Sequence, residues 1–349
     1  MSILCSSDPN SPSISIVGTW VERSGASPLF LSLNLEETDE QQVPLLLPSS
    51  TLLQHKDRFR ELRIYEASEW NLWNLNHLWP APNLLSFAFE QDEKSSFIPP
   101  LELLEFPLFL RNDAQAPRLI HLQLNHCRFD APRCELNNVQ ALTLTYCTAS
   151  VRGFRHTLHC MPNLLRVVLG PVGIDPEPRF PKPRADTGKT SVDSTDLVLR
   201  HLWSMKLHLE NSSTPLLVNL IAPSLTHLTL AATVDHVSLD TVTKFLAQEK
   251  LPLQYLGLTL IGSFSLYGLA LNLPKLPHIE ILHVCVRNIS FHPLSVKNHS
   301  ALTAFKIQFE PPPRSTRHWE ELFDDQPEYQ VTGRIFPEWL VFIYLHGDA

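Results

Sequence analysis

The chain has 349 residues, a net charge of −8 and 44% hydrophobic residues. That composition excludes a disordered chain, and the acidic balance argues against a broad nucleic-acid surface, which would be basic. Glycine is scarce (11) and proline abundant (29), the reverse of what the glycine-rich phosphate loops of nucleotide-binding folds use.

The first residues, 1–17, carry neither a basic start nor a long apolar run, so they read as a disordered N-terminal tail and not as a secretory signal. No apolar run further on reaches the length of a membrane span. The six cysteines (5, 127, 134, 147, 160 and 285) contain no C-x-x-C pair and read as reduced thiols of the cytoplasm or nucleus. From 18 to 349 the chain reads as a single domain.

Within that domain one pattern returns. "FRELRIYEA" starts at 59 and "LLSFAFEQD" at 84, both weak copies. "EWNLWNLNHLW" lies between them, and its tryptophans, like Trp20, Trp203, Trp319 and Trp339, read as core or cap residues. "LIHLQLNHC" then gives L-x-x-L-x-L-x-x-C with Leu119, Leu122, Leu124 and Cys127, and "VQALTLTYC" repeats it with Val139, Leu142, Leu144 and Cys147. "SVRGFRHTLHCMPN" places Val151, Phe154 and Leu158 on one helical face behind a capping Ser150. "LLRVVLGPV" follows at 164.

Five prolines crowd residues 171–183, and about 172–195 reads as a disordered loop. Its "GKT" has Pro183 where a phosphate loop needs glycine. The pattern resumes in "LWSMKLHLE" (202), "LTHLTLAAT" (225), "LQYLGLTLI" (253), "IEILHVCVR" (279) and "LTAFKIQFE" (302). A helix in "SLDTVTKFLAQEKLP" has Val242, Phe245 and Leu246 on one face, and "IFPEWLVFIYL" reads as a final strand or cap. A proline stands two residues before the first strand leucine at 82, 117, 162, 223 and 277, where it is expected to end the preceding helix and keep the incoming chain extended.

Periods of 20 to 29 residues with this consensus are those of leucine-rich repeats. Each L-x-L is a short strand whose leucines point one way, and stacked copies bury what one copy cannot. The expected fold is α/β: an irregular leucine-rich-repeat solenoid, with a curved parallel sheet on the concave side and helices and turns on the convex side. Cys127 and Cys147 fill the consensus position after the strand. His121 and His126 then lie beside the strand, outside the core, and no metal is expected. His156, His159 and Cys160 lack a second spaced ligand pair.

The chain resembles the F-box-like leucine-rich-repeat families of mushroom-forming fungi (basidiomycetes). The likeness runs from about residue 18 to the end. It rests on "WVERSGASPLFLSLNL" (20–35), "RFRELRI" (58–64), "FPLFLRNDAQAPRLIHLQLNHCRFD" (106–130), and the "MPNLLRVVL" and "APSLTHLTL" cadence. Trp20, Arg23-Ser24 and Pro28-Leu29 match the family's lead into the first repeat strand. The resemblance implies a ubiquitin-ligase substrate receptor whose repeats bind a protein. Family members carry an F-box upstream, and none of the 19 residues before Trp20 reads as one. A Skp1-like adaptor is therefore an expected partner only if an F-box is missing from this chain, and truncation and an F-box-less paralogue stay open.

The function expected from this reading is non-catalytic protein recognition with no cofactor, no nucleic acid and no membrane. The candidate partner-binding face consists of Arg63, Gln123, Thr143, Lys206, Thr229, His283 and Lys306, outward residues that each stand between two apolar residues of a strand. The alternatives are a stand-alone leucine-rich-repeat interaction protein with no ubiquitin role and an enzyme of unrecognised type. The latter needs a nucleophile, base and orienting group brought together, which no motif in the chain positions.

Overall fold

A computed structural model describes residues 2–5, 14–34, 51–65, 79–90, 116–126, 136–149, 151–170, 172–174, 196–209, 217, 219–233, 245–246, 251–261, 279, 281–287, 304–309, 331–336 and 340–345. They are α/β, with parallel strands and few helices. The chain forms two compact units: Met1–Leu164 with Val172–Lys182, and Leu165–Pro171 with Pro183–Ala349.

In the first unit the chain runs β1 (Ser2–Cys5), α1 (Ile14–Arg23), β2 (Leu29–Asn34), α2 (Thr51–Gln54), β3 (Phe59–Tyr65), β4 (Ser86–Glu90), β5 (His121–Asn125), β6 (Ala141–Thr145), β7 (Cys147–Ala149) and α3 (Val151–His159). From β1 to β6 each strand pairs in parallel with the one before it in sequence. Leu122 thereby faces Leu142, and Leu124 faces Leu144. The segment read as a disordered tail thus contributes β1 and the start of α1. The reason is local: "SILC" has no glycine or proline, and it lies along β2, whose other edge pairs with β3.

After β8 (Arg166–Leu169), β9 (Val172–Ile174) pairs with β7 inside the first unit, Cys147 opposite Val172. The start of the proline-rich loop is therefore a strand, carried by two β-branched residues around Gly173; 175–195 lies outside the described residues.

The second unit begins with β8 and continues through β10 (Leu197–Val198), β11 (Ser204–Leu209), β12 (Leu220–Ile221), β13 (His227–Thr233), β14 (Tyr255–Ile261), β15 (Ile281–Arg287) and β16 (Ala304–Phe309). Strands β8, β11, β13, β14, β15 and β16 pair in parallel in that order. The last two, β17 (Val331–Phe336) and β18 (Leu340–Leu345), form an antiparallel hairpin, and β18 pairs with β16. The final apolar stretch is thus two-stranded where a single strand or cap was expected.

The leucines of the pattern are the core. In the first unit Phe59, Leu62, Ile64, Leu119, Leu122, Leu124, Val139, Leu142 and Leu144 are all buried, and in the second Leu202, Leu207, Leu225, Leu228, Leu253 and Leu256 are. Fully burying such a side chain stabilises by about 1.5–3 kcal/mol. Phe154 and Leu158 of α3 are buried as the helical spacing predicts, and so are Phe245 and Leu246 in the short helical piece at 245–246.

The phased prolines differ from their expected role. Leu84, Leu119, Leu164 and Leu225 donate their N–H to the carbonyls of Ala81, Ala116, Met161 and Ala222, closing four-residue turns. Pro82, Pro117, Pro162 and Pro223 occupy the second position of those turns, where a fixed φ near −65° is already the one required. Pro277 lies outside the described residues. The same turn forms at 136–139 and 199–202 without proline.

In four of these turns the third residue bonds back to the turn before it. Asn83 donates from Nδ2 to Asp57 O (2.7 Å), Asn138 to Pro117 O (2.7 Å) and Asn163 to Asn137 O (2.8 Å); in the second unit Ser224 Oγ donates to Arg200 O (2.7 Å).

Candidate functional site

A strand that buries its leucines presents the alternate residues on the opposite face. The ladders fix which of them lie side by side. In the first unit one row runs Ser32, Arg63, Ala88, Gln123, Thr143. In the second it runs Val168, Lys206, Thr229, Gly257, His283, Lys306. All seven residues singled out from the sequence thus occupy the same position of their strands, within one row of each unit. The side chains of His283 and Lys306 lie outside the described ones; their places follow from the ladder alone.

In the first unit this face carries its own carboxylates. Arg63 donates from Nε to Glu61 Oε1 at 2.6 Å. Hydrogen bonding with Tyr65, and then with Glu61, holds the Arg63 guanidinium charged beyond its usual range. Gln123 donates from Nε2 to Glu90 Oε1 at 2.8 Å. Arg63, read as part of an open binding surface, is therefore engaged along its own strand, although it remains exposed.

The second unit's face is different. Lys206 and Arg166 are exposed. Beside them the rings of Trp203 and His227 meet edge to face at 5.4 Å, and His227 stacks on Tyr255 at 5.8 Å. Burial pushes the Tyr255 phenol above its ordinary range. Its ring lies so close over Gly257 that a Cβ there would come within 3.1 Å of the ring. Trp79 is buried, whereas Trp203 is 45% and Trp20 41% exposed, so of the core or cap places read for the tryptophans these two do not take the core.

Because the period of a strand is two, counting back from Thr229 reaches His227, whereas Arg166 and Tyr255 stand two residues from Val168 and Gly257, which share the row but were not singled out from the sequence. Only Trp203, just ahead of β11, escapes that rule.

Cys147 is fully buried, with its thiol 3.5 Å from Leu124 O and 3.4 Å from Thr145 O. Cys127 lies outside the described residues. His121 is exposed and His126 half-buried, as their places beside the strand suggest. On α3, Cys160 Sγ is 3.8 Å from His156 Nε2. Among the described residues no three histidine, cysteine or carboxylate groups converge as a metal site would need, and no helix is long and apolar enough to cross a membrane.

No family model matches the sequence, and no curated protein matches it significantly.

Proposed function

We propose that this chain is an irregular leucine-rich-repeat solenoid, with its sheet concave and its helices and turns convex, that serves as a non-catalytic protein-recognition scaffold. The observation that carries the reading is the row: Lys206 and Thr229 in one unit, and Gln123 and Thr143 in the other, stand at one strand position opposite buried leucines. A pleated face of that kind offers many side chains at fixed spacing, which suits a partner's surface better than a small substrate. By its resemblance the scaffold corresponds to the substrate-binding repeats of an F-box protein, a ubiquitin-ligase substrate receptor working in the cytoplasm or nucleus.

Affinity capture with the tagged 349-residue chain is the test. Lys206→Glu combined with Lys306→Glu is expected to abolish capture of the partner while leaving the circular dichroism spectrum unchanged. A partner indifferent to these reversals moves recognition off the strand face. A Skp1-like adaptor is expected only when an F-box is fused upstream; its capture by the chain alone would place an adaptor-binding segment within these residues.

A further inference from the structure

We propose that the outward strand face of the second unit docks an acidic segment of a partner protein, its carboxylates meeting Arg166 and Lys206 and an apolar side chain meeting Trp203. The inference rests on the protein-recognition reading and assigns the partner's chemistry.

Charge complementarity is the first argument. The chain as a whole carries −8. Yet the outward positions of β8, β11, β13 and β14 (Arg166, Val168, Ser204, Lys206, His208, His227, Thr229, Ala231, Tyr255, Gly257 and Thr259) include no carboxylate, and their registered neighbours on β15 and β16 add His283 and Lys306. The first unit supplies the contrast, because there Glu61 and Glu90 take up Arg63 and Gln123 on the same face. Among the described residues no carboxylate pairs with Arg166 or Lys206 in the second unit.

Spacing is the second argument. Arg166 faces Ser204, and Lys206 is two residues further along β11, so the cations sit one strand and two positions apart. With strands about 4.8 Å apart and two residues spanning about 6.6 Å, that diagonal is about 8 Å between backbones. An extended peptide places side chains i and i+2 on one side about 6.6 Å apart. Alternating acidic residues therefore match the two cations.

The floor between them is low. Ser204, Thr229, Ala231 and Gly257 are small, and next to them Trp203 is 45% exposed. An aromatic surface flanked by cations also suits single-stranded nucleic acid, but bases need free ring faces. Here His227 is stacked on Tyr255 and meets Trp203 edge to face, so these three rings do not offer a row of free, parallel faces. The overall charge also opposes a polyanion.

The test is fluorescence anisotropy with the full chain at low salt. The probe is a short fluorescein-labelled peptide alternating glutamate and serine around one tryptophan, compared with its lysine counterpart and with oligouridylate. The acidic peptide alone is expected to bind, with affinity falling about tenfold in Arg166→Gln/Lys206→Gln and falling again in Trp203→Ala. Arg63→Gln is expected to leave it unchanged. Thermal midpoints check that each variant is folded, and Lys206→Ala repeats the test with a smaller change. No binding, tighter binding of oligouridylate, or equal binding by the double variant overturns the proposal. Loss with Arg63→Gln instead would keep strand-face recognition and move the site to the first unit. Indifference to both sets would defeat the recognition reading as well.

Discussion

The imidazole of His126 stacks on the ring of Tyr146, with centroids 4.7 Å apart and planes 5° from parallel. Both residues have φ 52°, the left-handed region that costs a non-glycine residue about 1–2 kcal/mol. They stand at the same place, one residue beyond the last residues of β5 and β6, and His126 N–H donates to Thr145 O at 3.0 Å. The turn that follows each strand thus sets adjacent rings into a stack. His126 and Tyr146 hold equivalent places after adjacent strands, which gives His126 a structural role in its turn.

A double-mutant cycle of His126→Ala and Tyr146→Ala measures the stack. The expected coupling is about 0.5–1 kcal/mol, toward the low end for aromatic pairs because Tyr146 is half-exposed. Urea unfolding gives the four stabilities. Additive single effects would mean that the backbone turn places the rings without gain from their contact.

The links between turns make a second prediction. Asn163 Nδ2 donates to Asn137 O at 2.8 Å. Asn163→Ala should cost about 1 kcal/mol, the net worth of one such bond. Asn163→Asp should cost at least as much, because a carboxylate would present an acceptor to a carbonyl. If the aspartate variant is the more stable of the two at neutral pH, the bond does not contribute.

The repeat was legible because burial and period coincide: every second residue from Leu122 to Leu124, and from Leu142 to Leu144, must be apolar to close the core. The seven face residues followed from the same alternation. What the sequence hid were features fixed by neighbouring repeats. The carbonyl that receives Asn138 belongs to Pro117, and the carboxylate that accepts from Gln123 belongs to Glu90. Arg58 reaches back to accept nothing and donate everything: Nη1 to Val21 O at 3.1 Å, Nε and Nη2 to Ser27 O at 3.0 and 2.9 Å, and Nη2 to Ser24 Oγ. It ties together the "RFREL" and "ERSGAS" motifs that carried the family resemblance, a link no local pattern announces.

Thiol chemistry separates the two cysteines whose side chains are described. Cys147 is buried between two carbonyls, whereas Cys160 is partly exposed on the turn after α3. Ellman's reagent should modify Cys160 in the native protein and reach Cys147 only on unfolding. Cys147→Ala should cost about 1–2 kcal/mol from lost packing. Native labelling of Cys147 at the rate of Cys160 would contradict its placement.

Tyr255 offers a pH test. Burial raises its folded-state pKa, so the fold favours the neutral phenol. The contribution is fully present below the unfolded value of about 10 and is lost as pH rises through the folded pKa. Stability should therefore fall more steeply in alkaline solution for the native chain than for Tyr255→Phe, which has nothing to ionise there. Lysines also titrate in this range, so the informative quantity is the difference between the two curves. Guanidinium midpoints from about pH 8 to about pH 11 give that difference. It should be constant below pH 10 or so and should move in favour of the phenylalanine variant above it. Parallel curves throughout would show that the phenol titrates as it does in the unfolded chain, and that the ring over Gly257 is open to solvent.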